Sequence, residues 1–340
     1  MSERLKIAVD IEVTNRCNAH CAMCPREAVR DLGMMNEEVF ARVLERCAEY
    51  GRIKNFSFAG LGEPLLHPRL VDWVSKAKAA GLTVSVVTNG ALLTRAMAHA
   101  LVGAGLDNLN VSVGGYSKET YERVQRGLSF ERVRENLLGA IEVARGTSCK
   151  VNLHISPAPE TQEERDEIIR YWERHGIDYC FEFTRAANRG GLLRLERSPA
   201  TPTSSRGHCH RRAINIEHLL QPSPSEKRQI AARSRFQCAI KSLMTFIGWR
   251  GEVYLCCNDF RKEVAVGHVR THAIEQTNAA KDALSLSELP MCRACNLREE
   301  HLTERRLAFY WELAEYELLR RLRKILRPHT RWGPALPGTA

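Results

Sequence analysis

Hydrophobic and polar positions repeat along the first half of the chain in a way that predicts strands alternating with helices. The predicted strands are Ile7–Val13, Ile53–Phe58, Leu82–Val87, Leu106–Val113, Val151–Ile155 and Tyr179–Phe183. Between them, apolar residues recur at helical spacing over segments of roughly ten to fifteen residues. This order requires right-handed crossovers and a parallel sheet. Six units are too few for a closed eight-stranded barrel, so the pattern predicts an open α/β fold.

Three cysteines stand on one loop directly after the first predicted strand. The stretch Thr14–Arg26, T-N-R-C-N-A-H-C-A-M-C-P-R, places Cys17, Cys21 and Cys24 within eight residues. Loops at the carboxyl ends of parallel strands form the functional face of such folds. The spacing differs from the C-x-x-C pairs of zinc fingers and from the cysteine run of bacterial ferredoxins. A zinc site completed by His20 and a chance cluster are the alternatives to an iron–sulfur site.

The spacing C-x-x-x-C-x-x-C resembles the signature of the radical S-adenosylmethionine (radical SAM) enzymes. In that family three cysteines hold a 4Fe-4S cluster, and its open iron binds the amino and carboxylate groups of S-adenosylmethionine. The resemblance implies that Cys17, Cys21 and Cys24 are the ligands of such a cluster. Where the family usually has an aromatic residue, this chain has Met23, an adaptable apolar residue that can pack near the adenine. The implied fold is an open, partial (βα)6 TIM-like barrel.

Further cofactor contacts are implied on the loops after the next strands. The run A-G-L-G-E-P-L at 59–65 resembles the glycine-rich motif that contacts the methionine amino group of the cofactor. Gly60 and Gly62 allow the backbone to approach a ligand, and the Glu63 carboxylate can bind an ammonium group. Other positions that resemble cofactor contacts of the family are Ser85, Thr88, Asn89 and Ser112. The sequence Thr-Asn-Gly at 88–90 also suits a plain turn.

Two residues are candidates for catalytic roles. Arg126, in V-Q-R-G, resembles a basic position that contacts the cofactor carboxylate or the substrate in relatives, and a solvated arginine at a helix end is the alternative. Cys257 adjoins Cys256 and is a candidate hydrogen-atom donor, with a spare ligand or a packed thiol as alternatives. Cys209 stands between two histidines and has no assigned role.

A second set of cysteines follows residue 236 and consists of Cys238, Cys256, Cys292 and Cys295. The segment Trp249–Leu255 predicts a hairpin with its turn at Arg250 and Gly251, which would carry Cys256 back beside Cys238. Four thiolates make a closed site that suits zinc or a second 4Fe-4S cluster. The pattern resembles the twitch domain, a shortened SPASM domain, of radical SAM dehydrogenases that oxidise the aminocyclitol deoxy-scyllo-inosamine. This resemblance implies an auxiliary 4Fe-4S cluster.

The chain divides into four predicted parts. Residues 1–185 form the radical SAM core, and residues 237–300 form the auxiliary cluster domain. Between them, residues 186–236 are rich in proline, glycine and serine, which predicts an irregular linker or lid. Residues 301–340 contain apolar positions at helical spacing followed by a basic end, which predicts a helix and a basic tail.

Composition and charge narrow the range of partners. The 50 lysines and arginines exceed the 40 acidic residues, and the net charge of +10 suits an anionic small-molecule substrate or simply a diffuse solvated surface. Twelve cysteines indicate metal binding and not disulfides. No apolar run near 18 residues and no leader at Met1 is present, so we expect a cytoplasmic protein without membrane or nucleic-acid partners. The resemblance adds an electron donor such as flavodoxin or ferredoxin.

The resemblance implies a reaction that begins with hydrogen abstraction by a 5′-deoxyadenosyl radical. A cluster held by four cysteines has no open iron and is suited to accept an electron, which favours oxidation. We therefore expect an oxidoreductase for a hydroxyl of a sugar- or aminocyclitol-like intermediate of antibiotic biosynthesis. The alternatives are an epimerase or decarboxylase of a sugar-derived substrate and a peptide-modifying maturase. The triad begins sixteen residues from Met1, which is expected to leave no room for a leader-binding domain.

Overall fold

The described strands form one ten-stranded sheet. The computed structural model describes residues 8–29, 31–156, 158–182, 212–213, 238, 241 and 244–295. Its strands are β1 Ala8–Ile11, β2 Asn55–Phe58, β3 Thr83–Thr88, β4 Asn108–Val113, β5 Lys150–Ile155, β6 Tyr179–Glu182, β7 Arg212–Ala213, β8 Met244–Ile247, β9 Glu252–Tyr254 and β10 Ala265–His268. Apart from β7, the predicted linker with Cys209 lies outside the described residues, as does the predicted helix at 301–340.

Helices follow the parallel strands as the hydrophobic pattern predicts. They are α1 Glu37–Tyr50, α2 Leu70–Ala79, α3 Arg95–Gly103, α4 Lys118–Val124, α5 Phe130–Ala144, α6 Pro159–Glu163 and α7 Arg165–Arg174, followed beyond the hairpin by α8 Ile274–Ala283 and α9 Pro290–Ala294. Asn36 caps α1, because its side-chain oxygen accepts a hydrogen bond from the Val39 amide at 2.9 Å. None of the described helices has the length and apolar character needed to cross a bilayer.

Strands β1 to β6 lie side by side in chain order, and every neighbouring pair is parallel. This arrangement confirms the predicted parallel sheet. The full order is β10-β9-β8-β1-β2-β3-β4-β5-β6-β7. Because β10 and β7 are its two edges, the described sheet is open and does not close into a barrel. An open sheet of this kind leaves its inward face accessible from one side.

The two faces of the sheet differ in chemistry. Val9 and Ile11 of β1 are fully buried in the core with Phe56 and Phe58 of β2. Phe40 of α1 packs in the same core. Side chains alternate along a strand, so the residues between these apolar positions point to the opposite face. We call that opposite face the inward face, and it is the face on which polar residues collect.

The predicted hairpin is present and joins the sheet beside β1. Strands β8 and β9 are antiparallel, with Phe246 opposite Tyr254. Their turn contains Gly251 at φ +99°, a conformation that side chains other than glycine rarely adopt. Strand β8 pairs parallel with β1, with Ala8 opposite Met244 and Ile11 opposite Ile247. The sequence pattern did not predict this pairing, because periodicity within a segment does not specify its distant neighbour.

The aromatic pair between α1 and α2 gives a direct test of the core. The rings of Phe40 and Trp73 stack with centroids 4.2 Å apart, and both side chains are fully buried. We expect Phe40→Ala to lower the free energy of unfolding by about 3–5 kcal/mol, because it leaves a cavity beneath the sheet. Anaerobic urea unfolding would measure this loss. Leu32→Ala is the matched control, since Leu32 is 42% exposed, and a loss of equal size there would contradict the assignment.

Candidate functional site

The loop that carries the cysteine triad is held in place by hydrogen bonds to the segment before α1. The Thr14 hydroxyl donates to the Gly33 carbonyl oxygen at 2.7 Å. The Asn15 side chain donates to the Asp31 carbonyl oxygen and accepts from the Gly33 amide, at 2.7 and 2.8 Å. Both side chains are buried, so water does not compete for these hydrogen bonds. The bonds therefore hold the loop in position where it leaves β1.

The structure brings the three thiols of this loop together. Burial raises the pKa of Cys21 to about 12, and the neighbouring Cys24 and Cys17 raise it further. Burial is also the main cause that raises the pKa of Cys17, although the Ala19 amide donates to its sulfur at 3.4 Å. Three clustered thiols resist losing their protons unless a positively charged centre binds the thiolates. This donor set therefore fits an iron–sulfur cluster.

Ligand geometry also distinguishes a cluster from a single metal ion. Among the described residues, no three Cys, His, Asp or Glu side chains are arranged to hold one ion. A zinc ion needs all its sulfur ligands about 2.3 Å from one point. In a four-iron cluster each cysteine binds a different iron, so the sulfurs are spread more widely. That Cys17, Cys21 and Cys24 are not arranged around a single ion is compatible with a cluster.

The glycine-rich loop after β2 docks directly on the cysteine loop. A Cβ atom added at Gly62 would lie 2.1 Å from the Thr14 carbonyl oxygen and 2.7 Å from that of Arg16. The next amide, that of Glu63, donates to the Arg16 carbonyl oxygen at 2.9 Å. Only glycine permits this approach of two backbones. The two predicted cofactor loops are thus in contact.

Glu63 joins this pair of loops to the end of β3. Its carboxylate is 1% exposed and accepts hydrogen bonds from the Leu65 amide at 3.0 Å, the Thr88 hydroxyl at 2.7 Å and the Asn89 amide at 2.7 Å. Burial raises the pKa of Glu63 to about 7, against the opposing effect of these hydrogen bonds. The contacts that the structure gives Glu63 position the loops. Its predicted contact with a ligand ammonium group stays a prediction.

The remaining predicted cofactor residues lie around these loops. The Asn89 side chain donates to the Asn18 side-chain oxygen at 2.8 Å and contacts the Cys17 sulfur at 3.8 Å. Ser85 and Ser112 are half-buried on the inward face of β3 and β4, and Met23 is half-buried on the cysteine loop. Thr88 and Asn89 therefore serve loop contacts, while the two serines remain accessible from the inward face.

Arg126 lies beside the cysteine loop, but through its main chain. The His20 amide donates to the Arg126 carbonyl oxygen at 2.8 Å, and the Ala22 amide donates to that of Val124 at 2.9 Å. The Arg126 side chain is exposed and its Nε donates to the Arg123 carbonyl oxygen at 3.4 Å. The end of α4 and the residues after it thus support the cysteine loop, a contact that the sequence motif alone did not reveal.

Three cysteines lie together where the hairpin begins and ends. Burial raises the pKa of Cys256, and the thiols of Cys257 and Cys238 raise it further, so these three groups are neighbours. Cys292 is buried on α9, and Cys295 directly follows that helix. The predicted return of Cys256 toward Cys238 agrees with this arrangement, while the ligand roles of the four cysteines stay predictions.

Two buried lysines accompany these thiols. Lys281 of α8 is fully buried and donates to the Met244 carbonyl oxygen at 3.1 Å, and Lys241 is 2% exposed and donates to the Leu284 carbonyl oxygen at 3.0 Å. Burial lowers the pKa of Lys281 to about 8, and the Cys256 and Cys257 thiolates oppose this shift. Buried ammonium groups need a nearby anion. An iron–sulfur cluster with four thiolates supplies one, so the surroundings fit an auxiliary cluster.

The two cysteine sets lie at opposite ends of β1. The triad follows the carboxyl end of β1, whereas Cys238 precedes β8 and Cys256 follows β9. Because β8 runs parallel to β1 and β9 returns antiparallel to β8, Cys238 and Cys256 of the second set lie at the end where β1 begins. The four residues of β1 span about 13 Å, so the cysteines at its two ends are separated by roughly this distance along the strand.

One pair of charged residues near the site was missed by the sequence prediction. The Glu12 carboxylate is 1% exposed, lies 2.6 Å from the Lys262 ammonium and accepts from the Leu61 amide at 3.1 Å. Gly60 lies against the Glu12 side chain. This ion pair connects β1 and the glycine-rich loop to the segment after β9. The available signal was a charged residue between the apolar positions Ile11 and Val13 of a buried strand.

The close approach at Gly62 predicts a loss of cofactor binding on substitution. We expect Gly62→Ala to weaken S-adenosylmethionine binding at least about tenfold, because the added methyl group separates the two loops. Calorimetric titration of the reconstituted protein measures this. Gly103→Ala is the control, since a Cβ there would meet no atom within 4 Å. Equal affinities for the two variants would contradict the role of the contact.

The buried lysine beside the second cysteine set predicts a redox effect. Reduction adds negative charge, so removing the ammonium by Lys281→Met should lower the reduction potential of the auxiliary cluster by roughly 50–100 mV. A redox titration followed by electron paramagnetic resonance measures the shift. Lys118→Met changes the same charge at an exposed position and should leave the potential unchanged. An unchanged reduction potential in the Lys281→Met variant would show that the auxiliary cluster does not lie beside Lys281.

Relatives of known sequence share part of this chain. A tungsten-containing aldehyde ferredoxin oxidoreductase cofactor-modifying protein of Pyrococcus furiosus is 28% identical over 173 residues, which are 49% of this chain and 48% of that protein. A probable GTP 3′,8-cyclase of Methanothermobacter marburgensis is 30% identical over 218 residues, which are 62% of this chain and 65% of that protein. The chain thus spans between about half and two thirds of these curated relatives.

Solved structures and family models agree on the fold. BtrN in complex with AdoMet and 2-DOIA superimposes with a TM-score of 0.54 at 16% identity, covering 87% of this chain and 94% of BtrN. Streptococcus suis SuiB bound to precursor peptide SuiA gives 0.64 at 12% identity, covering 87% and 70%. The model of the SPASM iron–sulfur cluster-binding domain matches residues 238–296. Because the model of the Radical SAM superfamily matches residues 11–180, half of the chain, this protein belongs to the radical SAM superfamily.

Proposed function

We propose that this radical SAM enzyme is an oxidoreductase that oxidises a hydroxyl group of a small sugar- or aminocyclitol-like molecule. The cofactors of the family are a 4Fe-4S cluster and S-adenosylmethionine, and the SPASM domain adds auxiliary iron–sulfur binding. Cys17, Cys21 and Cys24 are the proposed ligands of the first cluster. The proposed ligands of the auxiliary cluster are Cys238, Cys256, Cys292 and Cys295.

The observation that supports oxidation is the position of the two cysteine sets at the two ends of one polar face. The triad lies at the carboxyl end of β1, and Cys238 and Cys256 of the second set lie at its amino end. The inward face between them carries the polar residues Asp10, Ser57, Ser85, Asn108, Asn110, Ser112 and Asn152. A substrate bound on this face lies within reach of both ends, so hydrogen removal and electron removal can act on one molecule.

The protein's own contribution is to bind, orient and exclude water. When bound, the cofactors supply a 5′-deoxyadenosyl radical that takes one hydrogen atom and an auxiliary cluster that takes one electron, while the hydroxyl proton leaves to solvent. Gly60 and Gly62 bring the second loop to the cofactor, and Met23 packs beside it. The residues that we assign to its polar groups are Glu63, Ser85, Thr88, Asn89 and Ser112.

The proposal also assigns roles to Arg126 and Cys257. The Arg126 side chain is exposed beside the cysteine loop and is available to a carboxylate of the cofactor or substrate. Cys257 neighbours Cys256 and is available as a hydrogen-atom donor to a substrate radical. A reductant such as flavodoxin or ferredoxin is the proposed electron donor, as is general for the family. The domain divisions at residues 185, 236 and 300 are likewise proposed.

Other outcomes use the same core and differ in the fate of the substrate radical. An epimerase would return a hydrogen atom to the substrate radical, and a decarboxylase would release carbon dioxide from it. A maturase would act on a peptide. The similarity to SuiB, at 12% identity, concerns the fold. The cyclase activity belongs to the relatives that carry that name. The polar inward face between two cysteine sets supports the oxidative outcome over these alternatives.

Two cysteine variants test the proposal. The reconstituted enzyme should hold about eight irons. A Cys17/Cys21/Cys24→Ala variant should lose about half of them and stop forming 5′-deoxyadenosine, because the cofactor loses its iron site. Cys292→Ala should keep S-adenosylmethionine cleavage but lose the oxidised product. Iron and sulfide analysis, chromatography of 5′-deoxyadenosine and mass spectrometry of products incubated with candidate substrates measure these effects.

Specific results would contradict the proposal. Continued cleavage of S-adenosylmethionine by the triad variant would show that these cysteines do not hold the first cluster. About four irons in the unmodified protein would show that it has no auxiliary cluster. A product with its oxidation state unchanged, formed in step with 5′-deoxyadenosine, would point to epimerisation. Cys47→Ala serves as the control, since Cys47 is buried in the α1 core and belongs to neither set.

A further inference from the structure

Glu12 is the residue at which the glycine-rich loop, strand β8 and the segment after β9 meet. Its amide continues the pairing of β1 with β8 by donating to the Ile247 carbonyl oxygen at 2.9 Å. The two oxygens of its buried carboxylate have different partners. Oε1 lies 2.6 Å from the Lys262 ammonium, and Oε2 accepts a hydrogen bond from the Leu61 amide at 3.1 Å. One side chain thus joins the loop after β2 to a lysine 250 residues away in sequence.

The glycine-rich loop also packs on the Glu12 side chain. A Cβ atom added at Gly60 would lie 2.7 Å from the Glu12 Cγ and 2.8 Å from its Cβ, so the loop backbone lies directly against this side chain. Farther along the same loop, Gly62 contacts the cysteine loop, and the Glu63 amide donates to the Arg16 carbonyl oxygen at 2.9 Å. A displacement of the Glu12 side chain therefore displaces the segment that contacts the cysteine loop.

Lys262 lies at the end of a turn that starts at Cys256. The Asp259 amide donates to the Cys256 carbonyl oxygen at 3.2 Å, and the Lys262 amide donates to the Asp259 carbonyl oxygen at 3.1 Å. The buried Asp259 carboxylate closes the turn by accepting from the Glu263 and Val264 amides at 3.0 and 2.8 Å. The position of Lys262 is therefore tied to the backbone of Cys256, a proposed ligand of the auxiliary cluster.

The backbone of Lys262 adopts a conformation that is rare for lysine. Its φ of +57° makes it the one residue other than glycine with a positive φ in the part of the chain that the structure describes. Such a conformation persists where the surrounding structure holds it, and it is frequent at functional sites. The Lys262 side chain is 16% exposed, and its ammonium lies 5.7 Å from the centre of the Tyr254 ring. The turn thus holds a strained residue at the point from which its ammonium contacts Glu12.

The buried Glu12 carboxylate depends on this ammonium. A carboxylate that is 1% exposed is costly without a cation, and removing one partner of a buried ion pair leaves the other charge uncompensated. Without the Lys262 ammonium, hydration favours movement of the carboxylate toward water. That movement would break the hydrogen bond from the Leu61 amide and shift the side chain on which Gly60 packs.

We propose that Glu12 and Lys262 are positioning residues for S-adenosylmethionine. Their ion pair holds the glycine-rich loop against the cysteine loop, so the affinity for the cofactor depends on a residue of the SPASM region. This inference rests on the proposed function, which assigns Gly60, Gly62 and Glu63 to the cofactor. Neither member of the pair is assigned a contact with the cofactor itself.

Calorimetric titration with S-adenosylmethionine tests this role in the full-length protein, reconstituted with iron and sulfide under anaerobic conditions. Lys262→Met should weaken binding about tenfold, because the loop moves from its position on the cysteine loop. Lys262→Arg keeps the cation and should restore the affinity to within about threefold of the unmodified protein. Iron content should be the same in all three proteins. An unchanged affinity in Lys262→Met would overturn the proposal.

A second ion pair between the same two regions provides the matched control. Arg270, also in the SPASM region, lies 3.1 Å from Glu38 of α1, and both side chains are exposed. This pair does not contact the glycine-rich loop through any hydrogen bond of the described residues. Arg270→Met should therefore leave the affinity for S-adenosylmethionine unchanged. A loss equal to that in Lys262→Met would show a general effect of docking the SPASM region and would overturn the specific role of Lys262.

A double variant shows whether the two residues act as one unit. Glu12→Gln removes the carboxylate charge and keeps an oxygen that can accept from the Leu61 amide. Glu12→Gln/Lys262→Met should therefore bind S-adenosylmethionine no more weakly than Lys262→Met, since it buries no unpaired charge. Losses that multiply would show that the two residues act separately and would overturn the proposal. The double variant also provides the test if Lys262→Met does not fold.

Hydrogen exchange measures the order of the loop without the cofactor. Because the Leu61 amide donates to Glu12, peptides that cover residues 59–65 should exchange at least about threefold faster in Lys262→Met, while peptides from α5 should not change. Unchanged exchange at 59–65 would overturn the proposal. Faster exchange with an unchanged affinity for S-adenosylmethionine would also overturn it, since the ordered loop would then not serve the cofactor.

A failure of the proposed function would give a different result. An unchanged affinity in Gly62→Ala would show that the glycine-rich loop does not serve the cofactor, and both proposals would lose that assignment. A weaker affinity in Gly62→Ala together with an unchanged affinity in Lys262→Met would overturn the role of the ion pair alone. Since these measurements follow cofactor binding and loop exchange, a reaction other than oxidation would leave the expected values unchanged.

Discussion

Parallel pairing of β8 with β1 is the constraint on which the arrangement of this protein depends. Strand β1 has β2 on one side and β8 on the other, so the radical SAM core and the hairpin of the SPASM region share one sheet. The direction of β8 places its preceding residues at the amino end of β1 and its turn near the carboxyl end. The triad and the pair Cys238 and Cys256, which are more than 200 residues apart in sequence, are thereby placed at the two ends of one strand.

Alternation within β1 separates stability from function. Val9 and Ile11 supply the fully buried contacts that hold the strand under α1. Asp10 and Glu12 occupy the intervening positions, and their carboxylates are costly in this setting unless a cation is near. Lys262 meets that requirement for Glu12 and also ties the hairpin region to the core. Burial of the two carboxylates on one face of the strand therefore costs free energy, and the tight apolar packing on the other face offsets this cost.

Several features were predictable because local sequence determines them. The six parallel strands, the cap at Asn36 and the turn at Gly251 follow from periodicity, side-chain hydrogen bonding and backbone freedom within a few residues. For Glu63 the motif predicts a ligand contact, which stays a prediction, and the structure adds hydrogen bonds from Leu65, Thr88 and Asn89 that the motif did not indicate. A motif shows which residue types are present, and only packing shows which partners take up their hydrogen bonds.

The sequence by itself determined the family, through a cysteine spacing that one short loop must present to a cluster, and it determined the open α/β fold through the period of its apolar residues. Tertiary structure alone decided that β8 lies beside β1, that Lys281 is buried near Cys256 and Cys257, and that Asp10 faces inward without a described cation. The physical reason is the separation in sequence over which each kind of interaction acts. Periodicity and turn chemistry act between near neighbours, whereas pairing, burial and charge compensation join residues whose separation in sequence carries no pattern.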